Sequence, residues 1–338
     1  MPKWTDKINE VKEREALAKQ EKPKMDFKAE HKAFLEKTKP NKRLEREGVP
    51  PLENLVLGSC GINGIAYIGA MKAMEAQGKL SNIKRIAGSS FGGVIGSLVS
   101  IGYTPSELES IFSERIHQAL LEDRNIPFDF KTLLTIKGHK LGLATLITLF
   151  EKKGLYQGKA IENLLSELVE EKLKQQIKEA ILAEISTEHA DTVLALSKAV
   201  SMGNQEEVID NFLNAMLKRE LDALQIQDLK LITFEEIEKL KARFPHLPFK
   251  DMYLTVTNVD KQASQVLSKD STPKVGFVKA MRIGLSYPGL YEPVEMDGDL
   301  YVDGGVANSY PMEIFDQPQF LSHGLNDAGV NPCTLGLV

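Results

Sequence analysis

The sequence predicts an α/β fold on a central, mostly parallel β-sheet, with a helical region inserted into it. Between Asn54 and Gly102, short apolar runs ending in glycine alternate with helical stretches rich in small residues. From about Ile161 to Phe244 only helical spacing is seen, and sheet patterning returns from Phe249. At 338 residues, with 42% hydrophobic and 26% charged residues, the chain has a globular composition and enough length to bury a sizeable core.

Taken in order, Met1–Val49 carries 14 Lys plus Arg against 10 Asp plus Glu and few apolar residues, which predicts a charged arm, helical or disordered. Val49-Pro50-Pro51 marks the boundary to a domain over 50–338. Asn54–Gly58 reads as a buried strand, Gly64–Gly78 as a helix closed by a glycine, Ile83–Gly88 as a second strand, and the stretch from Phe91 as a second helix. Thr104-Pro105-Ser106-Glu107 combines an N-cap, a first-turn proline and a returning glutamate, so another helix starts there. Leu141–Phe150 suits either a core helix or an interfacial lid.

Ile161, Leu164, Leu165, Leu168, Val169 and Leu173 fall on one helical stripe. The inserted region is expected over about 173–230, with helix starts at Asn204 and Thr233. Phe249–Asp260 alternates as a strand, and Asp297-Gly298 predicts a type I′ hairpin whose second strand delivers Asp303 at its end. The final run, Asn331–Val338, is strand-like with no turn after it, as expected of a cropped chain.

Several function classes are disfavoured at once. A net charge of −5 is unsuited to a nucleic-acid partner, which calls for a basic surface. Cys60 and Cys333 form no disulfide framework and suit a reducing compartment. The start of the chain lacks the apolar stretch of a secretory signal, and no apolar run reaches the roughly 18 residues of a membrane span. A cytoplasmic or peripheral location is expected, with any membrane contact made from the surface.

The chemistry centres on Gly88-Ser89-Ser90-Phe91-Gly92, a G-x-S-x-G pattern between a strand and a helix. It is either a packing turn or an elbow presenting Ser90 as a nucleophile. A phosphate cradle is weaker, because the Gly-Lys-Ser/Thr ending of such loops is absent. The glycine loop Gly58–Gly69 follows a parallel strand at the same sheet edge, so its amides are candidate oxyanion donors. It does not fit the dinucleotide fingerprint G-x-G-x-x-G. For the base, Asp303 can accept the serine proton directly. Of the six histidines (His31, His117, His139, His189, His246 and His323), only His323 follows Asp303, so a Ser90–Asp303–His323 order stays open.

Three segments together resemble the patatin-like phospholipases: Leu55–Glu75 with the glycine loop, Ile86–Leu98 with the serine turn, and Met296–Pro311 with Asp303-Gly304-Gly305. Phe277–Val294 and the Asp270-Ser271-Thr272-Pro273 segment add to the match, which spans roughly Leu52–Phe315 outside most of the helical stretch.

The resemblance implies a three-layer patatin-like hydrolase fold and a lipid acyl hydrolase of phospholipase A or lysophospholipase type, working through a Ser90–Asp303 dyad and an acyl-enzyme. It implies Gly88 and Gly92 as elbow glycines, Gly304 and Gly305 as the D-G-G glycines, and Ser59, Cys60, Gly61 and Gly64 as the oxyanion loop. It also implies no metal and no cofactor for the chemistry, a membrane phospholipid or lysophospholipid as substrate, and peripheral membrane contact. The charged arm and helical insert are similar to those of bacterial effectors, which implies a host protein activator and export into host cells without a standard signal peptide. One departure stands out. The family loop has glycines where this chain has Ser59 and Cys60, and Asn63 replaces a basic residue. Positive φ at Ser59 or Cys60 would be strained, so a weakly active or inactive binding scaffold is the alternative.

Overall fold

The computed structural model describes residues 50–116, 119, 154–188 and 205–338. The expected N-terminal arm, the Leu141–Phe150 segment and the helix start at Asn204 lie outside the described residues.

The chain opens with β1 (Asn54–Leu57), a 3-10 turn over Gly61–Gly64, α1 (Ile65–Ala76), β2 (Arg85–Ser89) and α2 (Ser90–Ser100). This is the expected strand–helix–strand–helix unit. β1 and β2 pair in parallel, with Asn54 opposite Arg85 and Leu57 opposite Gly88. α3 (Pro105–Ile111) starts where the sequence indicates: the Thr104 side chain accepts from the Glu107 amide, and the Glu107 carboxylate accepts from the Thr104 amide. Beyond it come β3 (Gly154–Tyr156), α4 (Lys159–Glu188), α5 (Gln205–Leu224) and α6 (Phe234–Arg243). α4 runs unbroken through Leu173, the expected start of the insert. Its apolar stripe from Ile161 to Leu173 is buried throughout. Arg243 on α6 ties α4 to α5, donating through Nη1 to Glu184 at 2.7 Å and through Nε to Glu220 at 2.9 Å.

The second half supplies β4 (Asp251–Asn258), β5 (Ala263–Leu267), α7 (Phe277–Gly284), β6 (Gly289–Tyr291), β7 (Val294–Met296), β8 (Asp299–Asp303) and β9 (Thr334–Leu337). Seven strands form one sheet, with β9, β1, β2 and β4 parallel. Its other pairs, β4–β5, β4–β8 and β7–β8, are antiparallel. The expected parallel strands thus form the body of the sheet, and antiparallel strands flank them. The reason is local: short turns join β4 to β5 and β7 to β8, and only antiparallel strands can be connected so tightly. At the β7–β8 turn both Asp297 (φ 53°) and Gly298 (φ 84°) have the positive φ of a type I′ hairpin. β3 and β6 form a separate parallel pair.

Alternation along the strands sorts side chains into two layers. Leu55, Leu57, Ile86, Met252, Leu254 and Val256 face the helices, α2 and α7 among them. Val56, Ala87 and Tyr253 face the opposite side, where Phe315 and Phe320 from short 3-10 turns stack edge-on against Tyr253, with centroids 5.6 and 5.3 Å away.

The first turn of α2 lies against the end of β1. A methyl group on Gly92 would overlap the carbonyl oxygen of Gly58, and one on Gly88 would overlap the backbone of Gly93. Gly92→Ala is expected to cost about 1–3 kcal/mol in urea unfolding, since the clashing atoms are backbone. Gly69→Ala on α1, where an added methyl meets nothing within 4 Å, should instead be neutral or stabilise by up to about 1 kcal/mol.

Candidate active site

The site is built by strand register. On β4, Thr255 pairs with Ser89, the last residue of β2, while Val256 pairs with Asp303, the last residue of β8. β5 pairs with both Thr255 and Val256 from β4's other edge. β2 and β8 must therefore share one edge of β4, running toward each other and meeting end to end. Residues 213 apart in sequence are delivered to one point, and the Ser90 hydroxyl donates to Asp303 Oδ2 at 2.6 Å.

Both groups are well enclosed. Ser90 is 9% exposed and Asp303 2%. Ser90 opens α2 with φ 54°, a left-handed conformation that costs a non-glycine residue about 1–2 kcal/mol. The strain of the turn thus sits on the serine, while Gly88 and Gly92 supply clearance around it. The neighbouring Ser89 is spent on structure, its hydroxyl donating to the Asn308 carbonyl at 2.8 Å. Asp303 Oδ1 accepts from the Gly305 amide at 2.7 Å, which leaves Oδ2 facing Ser90. Burial raises the Asp303 carboxyl above its ordinary range and outweighs the lowering by its Ser90 and Gly305 hydrogen bonds. A carboxylate kept basic beside a hydroxyl is suited to take that hydroxyl's proton.

The glycine loop is less strained than its composition suggests. Its positive φ falls on Gly61 (52°), while Cys60 has φ −134°, and Ser59 is not among the positive-φ residues. The Ser59 amide, expected as an oxyanion donor, instead donates to the Ser309 carbonyl at 2.7 Å. Among the described residues no backbone carbonyl takes the amides of Cys60 and Gly61. Gly64 has a packing role: a side chain there would overlap Ile95, Phe91 and Cys60. Gly304 and Gly305 likewise lie against the Thr255 carbonyl and the Ser59 side chain. Burial pushes the Cys60 thiol up to about 11, outweighing the Tyr67 hydroxyl and Gly92 amide beside it, so it stays neutral and is no rival nucleophile.

A family model described as patatin-like phospholipase matches residues 55–316. This chain belongs to that family. An uncharacterized protein of Acanthamoeba polyphaga mimivirus is 24% identical over 286 residues, covering 82% of this chain and 68% of its own length. A probable lipid hydrolase of Invertebrate iridescent virus 6 is 23% identical, covering 78% of this chain and 62% of its own. Among solved structures, VipD from Legionella pneumophila shares the fold, with a TM-score of 0.52 at 18% identity over 85% of this chain. This chain spans 49% of that structure, about half its length.

Within this patatin fold, His323 is far from Ser90 and Asp303. It is exposed, and its neighbour Ser322 donates to Glu53, the residue preceding β1, at the amino end of the sheet. Ser90 and Asp303 lie beyond the carboxyl ends of their strands, so the Ser90–Asp303–His323 order is not brought together. Among the described residues no group of three or more His, Cys, Asp or Glu is placed to hold a metal, and no helix is long and apolar enough to cross a membrane.

Residue-by-residue reading of the sequence misses the residues that hold Asp303. The Thr257 hydroxyl donates to the Asp303 carbonyl at 2.9 Å, and the Asp303 amide donates to the Ser286 carbonyl at 3.0 Å. Thr255 donates to the Gly88 carbonyl at 3.1 Å, fixing the other side of the same junction. Two threonines on alternate positions of a buried strand are the available signal.

The strain on Ser90 and the burial of Asp303 are each measurable as stability. Ser90→Gly, which relieves the left-handed strain, should be about 1 kcal/mol more stable in urea than Ser90→Ala, which keeps it. Because Asp303 holds its proton more tightly folded than unfolded, its contribution is full below the unfolded value of about 3.9 and is lost as pH rises through the raised native value. Wild type should accordingly lose stability relative to Asp303→Asn across that window, read from urea midpoints against pH.

Proposed function

We propose that this protein is a lipid acyl hydrolase of phospholipase A or lysophospholipase type, with Ser90 as nucleophile and Asp303 as its base. The observation that carries the reading is the 2.6 Å hydrogen bond from the strained Ser90 hydroxyl to the buried Asp303 carboxylate. Family membership and the viral lipid hydrolase relative support a lipid ester as substrate.

Ser90 Oγ attacks the ester carbonyl carbon while its proton passes to Asp303 Oδ2. The carbonyl oxygen becomes an oxyanion, for which the amides of Cys60 and Gly61 are the assigned donors, assisted by the N-terminal turn of α2. Collapse breaks the carbon–oxygen bond of the ester, and the departing alkoxide takes the proton from Asp303. Water then attacks the acyl-serine ester, gives its proton to Asp303, and the fatty acid leaves as Ser90 regains its hydrogen. Serine, aspartate and water balance the reaction without a cofactor. The substrate is a membrane phospholipid or lysophospholipid met from the surface. Export into a host cell and activation by a host protein complete the proposal, on the strength of the sequence resemblance.

The deciding assay is hydrolysis of a fluorogenic fatty-acyl ester, with and without host-cell lysate. Ser90→Ala should abolish turnover, Asp303→Asn should lower kcat/KM by about 10²–10⁴-fold, and His323→Ala should leave it unchanged. An active Asp303→Asn beside a dead His323→Ala would overturn Asp303 as the base in favour of a histidine. Absence of turnover in every condition would favour the binding-scaffold reading.

The pH dependence has a definite sign. Protonated Asp303 cannot accept the serine proton, so kcat/KM should fall as pH is lowered through the raised Asp303 value. That acidic limb should lie above the ordinary aspartate value of about 3.9. A limb at or below that value would contradict a buried Asp303 as the base.

A further inference from the structure

Arg282, in the last turn of α7, is only 3% exposed. A guanidinium so far from water is costly unless its N–H groups find acceptors. Nη1 donates to Ser286 Oγ at 2.7 Å, and Nη2 donates to the carbonyls of Gln157 at 2.6 Å and Glu292 at 3.2 Å. The guanidinium carbon lies over the Tyr291 ring, 5.3 Å from its centroid. The neighbouring backbone makes room for the group: Gly158 has φ 80°, and a methyl group there would overlap the guanidinium.

These contacts tie three separate segments together. Gln157 and Gly158 join β3 to α4, Glu292 follows β6, and Ser286 lies just beyond α7. Ser286 is fully buried, and its hydroxyl donates back to the Arg282 carbonyl at 3.0 Å. Side chain and backbone of Arg282 therefore both hold it. The Ser286 carbonyl in turn accepts from the Asp303 amide at 3.0 Å. Thr257 on β4 holds the Asp303 carbonyl and the Gly305 amide holds Oδ1, so the Ser286 contact adds a tie to α7.

Resting on the hydrolase reading and deepening it, we propose that Arg282 is a positioning residue for the Ser90–Asp303 pair, fixing through Ser286 the backbone from which the Asp303 carboxylate reaches the serine. Among the described residues its hydrogen bonds go to Ser286, Gln157 and Glu292, so its action on the reacting groups is indirect. Asp303 has a short side chain, and any shift of its backbone carries the carboxylate with it. The planar fork matters more than the charge. Nη1 and Nη2 aim in fixed directions at acceptors on different segments, which a lysine ammonium on a flexible stem does not reproduce.

Arg282→Lys keeps the charge and loses the fork, while Ser286→Ala removes only the hydroxyl link; both are compared with wild type. On a p-nitrophenyl acyl ester, Arg282→Lys should lower kcat about 10²-fold and Ser286→Ala about tenfold, with KM unchanged in both. The acidic limb of kcat/KM should move down toward the ordinary aspartate value, since a loosened carboxylate regains water. A second measurement needs no turnover: the urea midpoint of each variant is followed against pH, with and without Asp303→Asn. The pH window in which Asp303 destabilises the fold should narrow in both variants. Lower melting temperatures with unchanged kcat and an unchanged window would overturn the proposal and leave Arg282 a purely structural residue. Ser286→Ala carries the test if Arg282→Lys does not fold. Should wild type hydrolyse nothing, a narrowed window would still uphold the positioning of Asp303 and overturn the hydrolase reading alone, whereas an unchanged window would overturn both.

Discussion

Thr255 and Val256 are neighbours on one edge of β4, and each pairs with the last residue of a different strand. β2 arrives in parallel and stops at Ser89; β8 arrives antiparallel and stops at Asp303. An edge position can be occupied only once, so each strand ends where the other does. The residues after each strand must turn out of the sheet at the same place: Ser90 into α2, Gly304 and Gly305 into the turn that carries Val306. The contact between hydroxyl and carboxylate is thus a consequence of pairing and does not depend on long, mobile side chains. Thr255 and Thr257 reinforce it by hydrogen bonding to the backbone at Gly88 and Asp303.

Two unfavourable features are concentrated at this junction, and the surrounding packing holds both. Ser90 keeps a left-handed backbone, and Asp303 keeps a carboxylate largely withdrawn from water. Close approach of α2 to β1 at Gly92, and of Gly304 to Thr255, leaves neither residue room to relax. The same burial that makes Asp303 costly makes it a stronger base. Cys60 responds to the same enclosure in the opposite functional sense, since burial keeps its thiol protonated and inert.

Much of the architecture is legible in the sequence because local rules agree with the global fold. The Thr104 and Thr233 capping boxes, the Asp297-Gly298 hairpin and the buried stripe from Ile161 to Leu173 each rest on contacts within a few residues, which is why spacing reveals them. The antiparallel half of the sheet is not legible in the same way, because alternation marks a strand without giving its partner's direction. The glycine loop misleads for a related reason. Composition shows that Ser59 and Cys60 replace glycines, but only the folded loop shows positive φ assigned to Gly61 and the Ser59 amide taken by Ser309.

By itself the sequence determined the candidate chemistry: a serine centred between Gly88 and Gly92, an aspartate before two glycines, and the family to which both patterns point. These are properties of short segments, set by residue type and spacing. Tertiary structure decided which groups share a site. It joined Ser90 to Asp303, gave Ser89 to Asn308 and placed His323 at the other end of the sheet. Those outcomes depend on strand register along β4, and register is a relation between segments hundreds of residues apart that no single segment encodes.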